Sequence, residues 1–187
     1  LERQGKFVTS ACIDRISTMY RIFEEATLFV TDFDEYDYDL FVNVDASSVD
    51  QLQFPLKKSF LLKGDVPFLN IDHHISNSRF GTVNIVDPDA CSATFILQKF
   101  FDFCGMAITP RMATFLLLGH YYDTGSFMHS NSSAAAFDAA ATLMRKGADV
   151  NQVKRCLFSH NVNQLRLWGA VLERLHGELV RRQPRLG

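Results

Sequence analysis

The chain lacks most of the features that assign a protein at a glance. Its four cysteines, Cys12, Cys91, Cys104 and Cys156, form no Cys-x-x-Cys pair. That excludes a zinc finger or a thioredoxin-like redox centre, and it fits unpaired, buried thiols in a reducing cytoplasm. No apolar run reaches the ~18 residues that a membrane span needs, and no basic-then-apolar leader opens the chain. There is no excess of positive charge: 19 Lys and Arg stand against 21 Asp and Glu, for a net charge of −2 and a pI near 6.3. A broad surface for duplex DNA, which needs clustered Lys and Arg, is therefore not expected. A short nucleotide or oligonucleotide held at a metal site is still allowed. No repeat or low-complexity stretch is visible.

What the chain does have is material for a core. It has 187 residues, 47% of them hydrophobic, with seventeen Phe, enough for one domain or slightly more. Short β-branched or aromatic runs predict strands at Phe7–Thr9, Thr27–Val30, Leu40–Asp45, Pro67–Ile71 and Thr82–Val86. Helical spacing predicts helices from Ala90 to Cys104, from Pro110 through Tyr122, from Ser132 or Ser133 to Lys146, over Val150–Phe158 and over Val162–Leu179. Asp89 is the expected cap of the first of these, Pro110 the expected opening of the second, and Gly147 the expected stop of the third. Charge is uneven. Asp32, Asp34, Glu35, Asp37 and Asp39 form an acidic run read as a solvated connector, and the arginines from Arg166 to Arg185 are read as a solvated helix face. The stripe Leu165, Leu167, Trp168, Val171, Leu172 and Leu175 predicts a core or interdomain contact, or a homodimer surface.

The richest segment is Leu69-Asn70-Ile71-Asp72-His73-His74. An apolar run delivers a carboxylate and two imidazoles at what should be the carboxyl end of a buried parallel strand, where open α/β sheets place their ligands. Carboxylate with imidazole suits a divalent cation. Successive side chains alternate in direction, so one His can hold metal while the other faces a substrate. Asp45 ends a second apolar run and Asp123 a third, in Gly119-His120-Tyr121-Tyr122-Asp123-Thr124-Gly125. Each Asp alone reads most simply as a cap or a turn residue. Taken together with the His pair, the three point to a metal centre. Asn77 and Arg79 follow the His pair and are candidate phosphate contacts, Arg through a bidentate grip; a loop-bonding role is the alternative. Ser126, Ser130 and Asn131 are expected to shape the turn after Asp123. His120 is read as a core histidine, with an extra metal ligand as the alternative.

On Val44-Asp45, Ile71-Asp72-His73-His74 and the Gly119–Gly125 segment, the chain resembles the DHH phosphoesterase superfamily, which includes RecJ-type exonucleases, oligoribonuclease-type enzymes and manganese-dependent pyrophosphatases. Ser76–Gly81, Asn84–Pro88, Asp123–Phe127 with Ser130-Asn131, and Ala139–Asp149 extend the likeness over roughly residues 25–180 and towards the oligoribonuclease branch. The resemblance implies a doubly wound α/β fold, a mostly parallel sheet with helices on both faces. It also implies two Mn2+ ions, with Mg2+ or Co2+ as alternatives. By position, Asp45 would bridge the metals, His73 and Asp123 would ligate one of them, His74 would act on the phosphate, and Asp72 would orient a histidine. The implied substrate is a short RNA or a phosphorylated nucleotide, hydrolysed by a two-metal mechanism. A pyrophosphatase and a catalytically impaired nucleotide-binding remnant are the alternatives. The family's first motif, a His followed by two Asp, is not found. Residues 1–6 resemble the end of the helix that follows it, so a DHH-type domain over 1–160 lacking its first strand and a linker helix over 161–187 are expected. Phe95 stands where relatives often carry an acidic residue.

Overall fold

In a computed structural model of the chain, residues 5–33, 38–54, 66–158 and 162–182 are described. The chain divides into two units, Leu1–Leu157 and Phe158–Gly187. The first is α/β. Its sheet has three parallel strands, β1 (Phe41–Val44), β2 (Phe68–Asp72) and β3 (Val83–Val86), in the order β1-β2-β3. The α/β class with a parallel sheet is thus what the sequence led us to expect.

The register explains why the strands read as they do. Val42 pairs with Leu69 and Leu69 with Val83; Asn43 pairs with Asn70 and Asn70 with Asn84; Val44 pairs with Ile71 and Ile71 with Ile85. Because side chains alternate, the valines, Leu69, Ile71 and Ile85 share one face, and the three asparagines share the other. Helices α2 (Ala93–Phe103) and α4 (Ala134–Arg145) cover the apolar face, with Ile71 buried among Phe95, Ile96, Ala136 and Ala139. A short helix, α1 (Val49–Leu52), follows β1.

A second apolar cluster joins α3 (Pro110–Asp123), α4 and α5 (Val150–Phe158) through Leu116, Leu117, Leu143, Val153 and Cys156. Phe23 enters it from the short 3-10 turns Thr18–Ile22 and Glu24–Thr27. Those turns are tied down by Arg111, which donates to both carboxylate oxygens of Glu25 and, at 3.1 Å, to Gln152. Its guanidinium also lies over the Phe23 and Phe115 rings. The Arg111 pair holds the Glu25 carboxyl below its ordinary value.

Two strand expectations are corrected. Phe7–Thr9 is not a strand, and Thr27–Val30 contributes only a single parallel bridge, Ala11 to Val30. Thr27 instead ends a 3-10 turn whose hydroxyl donates to Glu24 O. The cap of α2 is Ser92, which accepts from Phe95 N at 3.0 Å, rather than Asp89. Thr109 caps α3 ahead of Pro110, and Ser133 caps α4. Gly147 follows α4 with φ +90°, the left-handed conformation that stops a helix at least cost to glycine. Of the four thiols, Cys91 and Cys156 are buried but Cys104 is exposed, and none is paired. In the acidic run, residues 34–37 lie outside the described residues, as does Arg185 of the basic tail.

The second unit contains one long helix, α6 (Val162–Arg182), on which the apolar stripe from Leu165 to Leu175 is exposed. No helix among the described residues is long and apolar enough to cross a membrane.

Candidate metal centre

Both β1 and β2 end on the expected carboxylates. Asp45 directly follows β1, where its N–H continues the ladder to Ile71 O at 2.9 Å. Its φ of +70° is a left-handed conformation that few residues other than Gly, Asn and Asp adopt. Asp72 closes β2 and is wholly buried. His73 and His74 turn their rings to different tasks, with centroids 4.6 Å apart.

Asp72 is spent on its neighbours. Its Oδ1 accepts from His73 N at 2.8 Å and from His74 Nδ1 at 2.7 Å, and its Oδ2 accepts from Asn77 Nδ2. Burial pushes its carboxyl up, but the hydrogen bonds from Asn77, from His74 and from backbone N–H groups outweigh burial and leave it below its ordinary value. An ionised Asp72 therefore receives the His74 Nδ1–H and leaves His74 Nε2 free.

His73 is oriented differently. Its Nδ1 faces Ala90 O at 3.2 Å. A carbonyl can only accept, so Nδ1 carries the proton and Nε2 of the neutral ring is a bare lone pair. That lone pair faces Asp45 Oδ1 at 3.4 Å and Asp123 Oδ2 at 3.8 Å. Asp123 is the last residue of α3, brought in from the far side of the chain. Its peptide oxygen accepts from Asn131 Nδ2 at 3.3 Å, and the same amide donates to Cys91 O at 3.1 Å. Asn131 thus ties the end of α3 to the segment that orients His73.

The turn after Asp123 is strained. Gly125, Ser126 and Phe127 all have positive φ, from +54° to +64°, and such a conformation is rare for a bulky residue. Thr124 Oγ1 accepts from Phe127 N, and the Phe127 ring is held against Tyr121 and Phe137. The His129 ring lies where a Cβ on Gly125 would sit, so a larger residue there would have to displace that ring as well as adopt a positive φ.

The residues present fit a cation. Asp45, Asp72, His73 and His74 each bring a candidate ligand atom within 4.8 Å of the others, and Asp123 joins through His73. Since Asp72 and the His74 Nδ1 that faces Asp45 are committed to each other, the candidate donors left around His73 Nε2 are Asp45, His73 and Asp123. Ligand atoms around a cation with bonds of ~2.0–2.2 Å lie roughly 3–3.6 Å apart, close to the spacing here. The His73 ring and the two carboxylates perturb one another's basicity. Asp45 above all raises the pKa of His73. Burial first, and then Asp45, push Asp123 up to about 6.

Asn77 and Arg79 lie in the loop that follows, and Asn77 takes the loop-bonding role that the sequence left as the alternative. Asn77 Oδ1 accepts from Asn70 Nδ2 and Arg79 N; its Nδ2 donates to Asp72 Oδ2 and Ala46 O. Every hydrogen-bonding position of that amide is filled within the protein, which leaves it no capacity for a ligand. Arg79 adopts φ +54° and has an exposed side chain. His120 is a core histidine: wholly buried, with Nδ1 at 2.8 Å from Leu116 O and Nε2 without a partner. Phe95 packs edge-on against it. Sequence reasoning missed the asparagines of the sheet, although Asn-x-Asp occurs at the end of both β1 and β2 and was a readable signal.

No family model matches the chain. Among curated proteins, it is 33% identical over 104 residues to the bifunctional oligoribonuclease and PAP phosphatase NrnA of Thermus thermophilus, covering 56% of this chain and 32% of that protein. It is 27% identical over 144 residues to the probable bifunctional oligoribonuclease and PAP phosphatase NrnA of Streptococcus mutans, covering 75% of this chain and 44% of that protein. The chain therefore spans less than half the length of these curated relatives. Among solved structures, an exopolyphosphatase-related protein from Bacteroides fragilis superposes with a TM-score of 0.79 at 19% identity, over 92% of this chain and 53% of that one.

Proposed function

We propose that this chain, which belongs to the DHH phosphoesterase superfamily, carries the metal site of a hydrolase that cleaves phosphoesters in short oligoribonucleotides or phosphorylated nucleotides such as adenosine bisphosphate. The observation that carries this reading is that Asp45 and Asp123, from two separate segments, both face His73 Nε2, at 3.4 and 3.8 Å, at the carboxyl end of the sheet. The names of the two NrnA relatives supply the substrate class.

Asp45, His73 and Asp123 would hold one divalent cation, manganese in our reading. When bound, it supplies positive charge at a phosphoryl oxygen and lowers the pKa of water. A second cation would share Asp45 and needs donors beyond these three. His74, fixed through Nδ1 by Asp72, presents Nε2 to the phosphate, as a hydrogen-bond donor when protonated or as the acid that hands a proton to the leaving oxygen. The exposed Arg79 offers a planar fork that matches two phosphate oxygens. The net charge of −2 suits a small anion captured at a cation rather than a long duplex tracked by basic side chains.

The test is manganese titration and hydrolysis with the whole chain, offering a diribonucleotide, adenosine bisphosphate and pyrophosphate in parallel. We expect manganese-dependent release from the first two, and loss of metal binding in Asp45→Ala and His73→Ala that exceeds the ~10–100-fold cost of losing a group that merely supports a ligand. Undiminished binding by either variant, or a preference for pyrophosphate, overturns the reading.

A further inference from the structure

The face of the sheet opposite α2 carries a line of amides, buried at Asn43 and Asn70 and half-buried at Asn77 and Asn84, with a single possible polarity. Asn77 sets it. Arg79 N is a donor and must meet Asn77 Oδ1, while Asp72 is an acceptor and must meet Asn77 Nδ2. The amide therefore cannot be flipped. Asn77 Oδ1 then requires a donor from Asn70, which supplies one Nδ2 hydrogen there at 3.0 Å and the other to Asn84 Oδ1 at 3.0 Å. Asn70 Oδ1 is left to accept from Asn43 Nδ2 at 2.7 Å, whose other hydrogen reaches Ala46 O at 3.1 Å. Ala46 O receives Asn77 Nδ2 as well, at 3.2 Å. The circuit closes on the two peptides that matter. Ala46 immediately follows Asp45, and Asp72 holds His74.

We propose that Asn77, oriented by Asn70, is a positioning residue that fixes the distance between Asp45 and the Asp72–His74 pair, and so sets where the cation ligand and the phosphate-facing imidazole stand relative to each other. This rests on the function proposed above and deepens it. Asn77 touches no substrate. It grips Asp72 with one hydrogen and the Asp45–Ala46 turn with the other, and its own oxygen is held by Asn70 and by the loop at Arg79. Asn84 serves as an internal comparison. It belongs to the same ladder, but its remaining bonds go to Gly81 N and O on the β3 side, away from both peptides.

The experiment compares Asn77→Leu with Asn84→Leu in the whole chain, by two readouts. The first is the tautomer of His74 in metal-free protein at alkaline pH, read from multiple-bond 15N–1H spectra. The second is the manganese dissociation constant. We expect wild-type His74 to be the Nδ1–H tautomer alone. Asn77→Leu should give a mixture of tautomers and weaken manganese by ~10–100-fold, the range for removing a group that supports a ligand. Asn84→Leu should lower the melting temperature yet leave the tautomer unchanged and the dissociation constant within about twofold. If Asn77→Leu does not fold, Asn77→Ser, whose single hydroxyl hydrogen can serve Asp72 or Ala46 but not both, is read in the same way. A folded Asn77 variant with an unchanged tautomer and unchanged affinity overturns the proposal. So does an Asn84 variant that shifts both as far as Asn77 does. Should wild-type protein bind no manganese, the phosphoesterase reading fails, while the metal-free tautomer comparison still decides the positioning role.

Discussion

Leu117 and Asn70 are both wholly buried in the same unit, yet they are held there by opposite means. Leu117 sits among Phe23, Leu116, Leu143 and Val153 between helices, and its contribution depends on volume filled and not on direction. Asn70 sits between two other asparagines with every hydrogen assigned. A small displacement leaves an orphan amide in a low-dielectric interior, at about 1–3 kcal/mol. The apolar region therefore sets how stable the unit is, and the polar region sets where a few atoms stand. The largest effect expected tests that division. Leu117→Ala should cost about 3 kcal/mol in urea denaturation, within the 2–5 kcal/mol range for such truncations, while the folded variant keeps its manganese affinity within about twofold. A collapse of affinity along with stability would merge the two regions into one.

The same division separates what could be read from the sequence from what could not. Local chemistry was legible. Pro110 announces α3, the Ser132-Ser133 pair announces α4, and the apolar runs ending on Asp45 and Asp72 announce the carboxyl end of a parallel sheet. Asp45 and Asp123, which both face His73 Nε2, were nameable as candidates because each ends an apolar run, where a carboxylate needs a partner. Pairing was not legible. Phe7–Thr9 and Thr27–Val30 look like strands because β-branched and aromatic residues fit a pleat, but only Ala11 and Val30 bridge. Asn43, Asn70 and Asn84 read as ordinary polar positions until the register placed them side by side. Asn77 reads as a ligand contact for the same reason: nothing in one sequence shows that a side chain's bonds are already used. Ser92 displaced Asp89 as a cap because only Ser92 immediately precedes the helix.

The second prediction uses pH, because the two regions carry titrating groups of opposite sign. Asp123 stands at about 6 in the folded chain, above its ordinary 3.8. Folding therefore favours its protonated form. That contribution is complete below 3.8 and is lost as pH rises through about 6. His73, raised by Asp45, follows the same direction: its contribution is complete below the ordinary 6.5 and is lost as pH climbs through its folded value. His120, in the core, is lowered by burial, so its contribution is complete above 6.5 and is lost as pH falls. Metal-free Asp123→Asn should thus match wild type near ~pH 4 and exceed it at ~pH 7.5, by at most ~3 kcal/mol for a displacement of this size. The same variant should bind manganese poorly. In wild type, manganese affinity should rise from ~pH 5 to ~pH 7.5 as Asp123 and His73 give up their protons. Equal stability of the two proteins at neutral pH would mean that neither burial nor Asp45 raises the Asp123 carboxyl.

The smallest effect is the most discriminating, because it compares two residues of one type doing one job. Ser92 and Ser133 each cap a helix, accepting from Phe95 N at 3.0 Å and Ala136 N at 3.3 Å. Replacing either with Ala should cost about 1 kcal/mol by the loss of the cap alone. Their surroundings differ. Ser133 is exposed, so its loss should end there. Ser92 is wholly buried, bonds to Thr94 Oγ1 at 2.9 Å, and directly follows Cys91, whose oxygen holds Asn131, and Ala90, whose oxygen orients His73. Loosening that end of α2 frees the carbonyl that keeps the His73 lone pair on Asp45 and Asp123. Ser92→Ala should therefore weaken manganese several-fold, at the low end of the ~10–100-fold range for supporting groups, while Ser133→Ala leaves it unchanged at a similar melting temperature. If calorimetric titration shows equal affinities for the two variants, the start of α2 supports the fold and not the site, and the boundary between the two regions lies between Ser92 and His73.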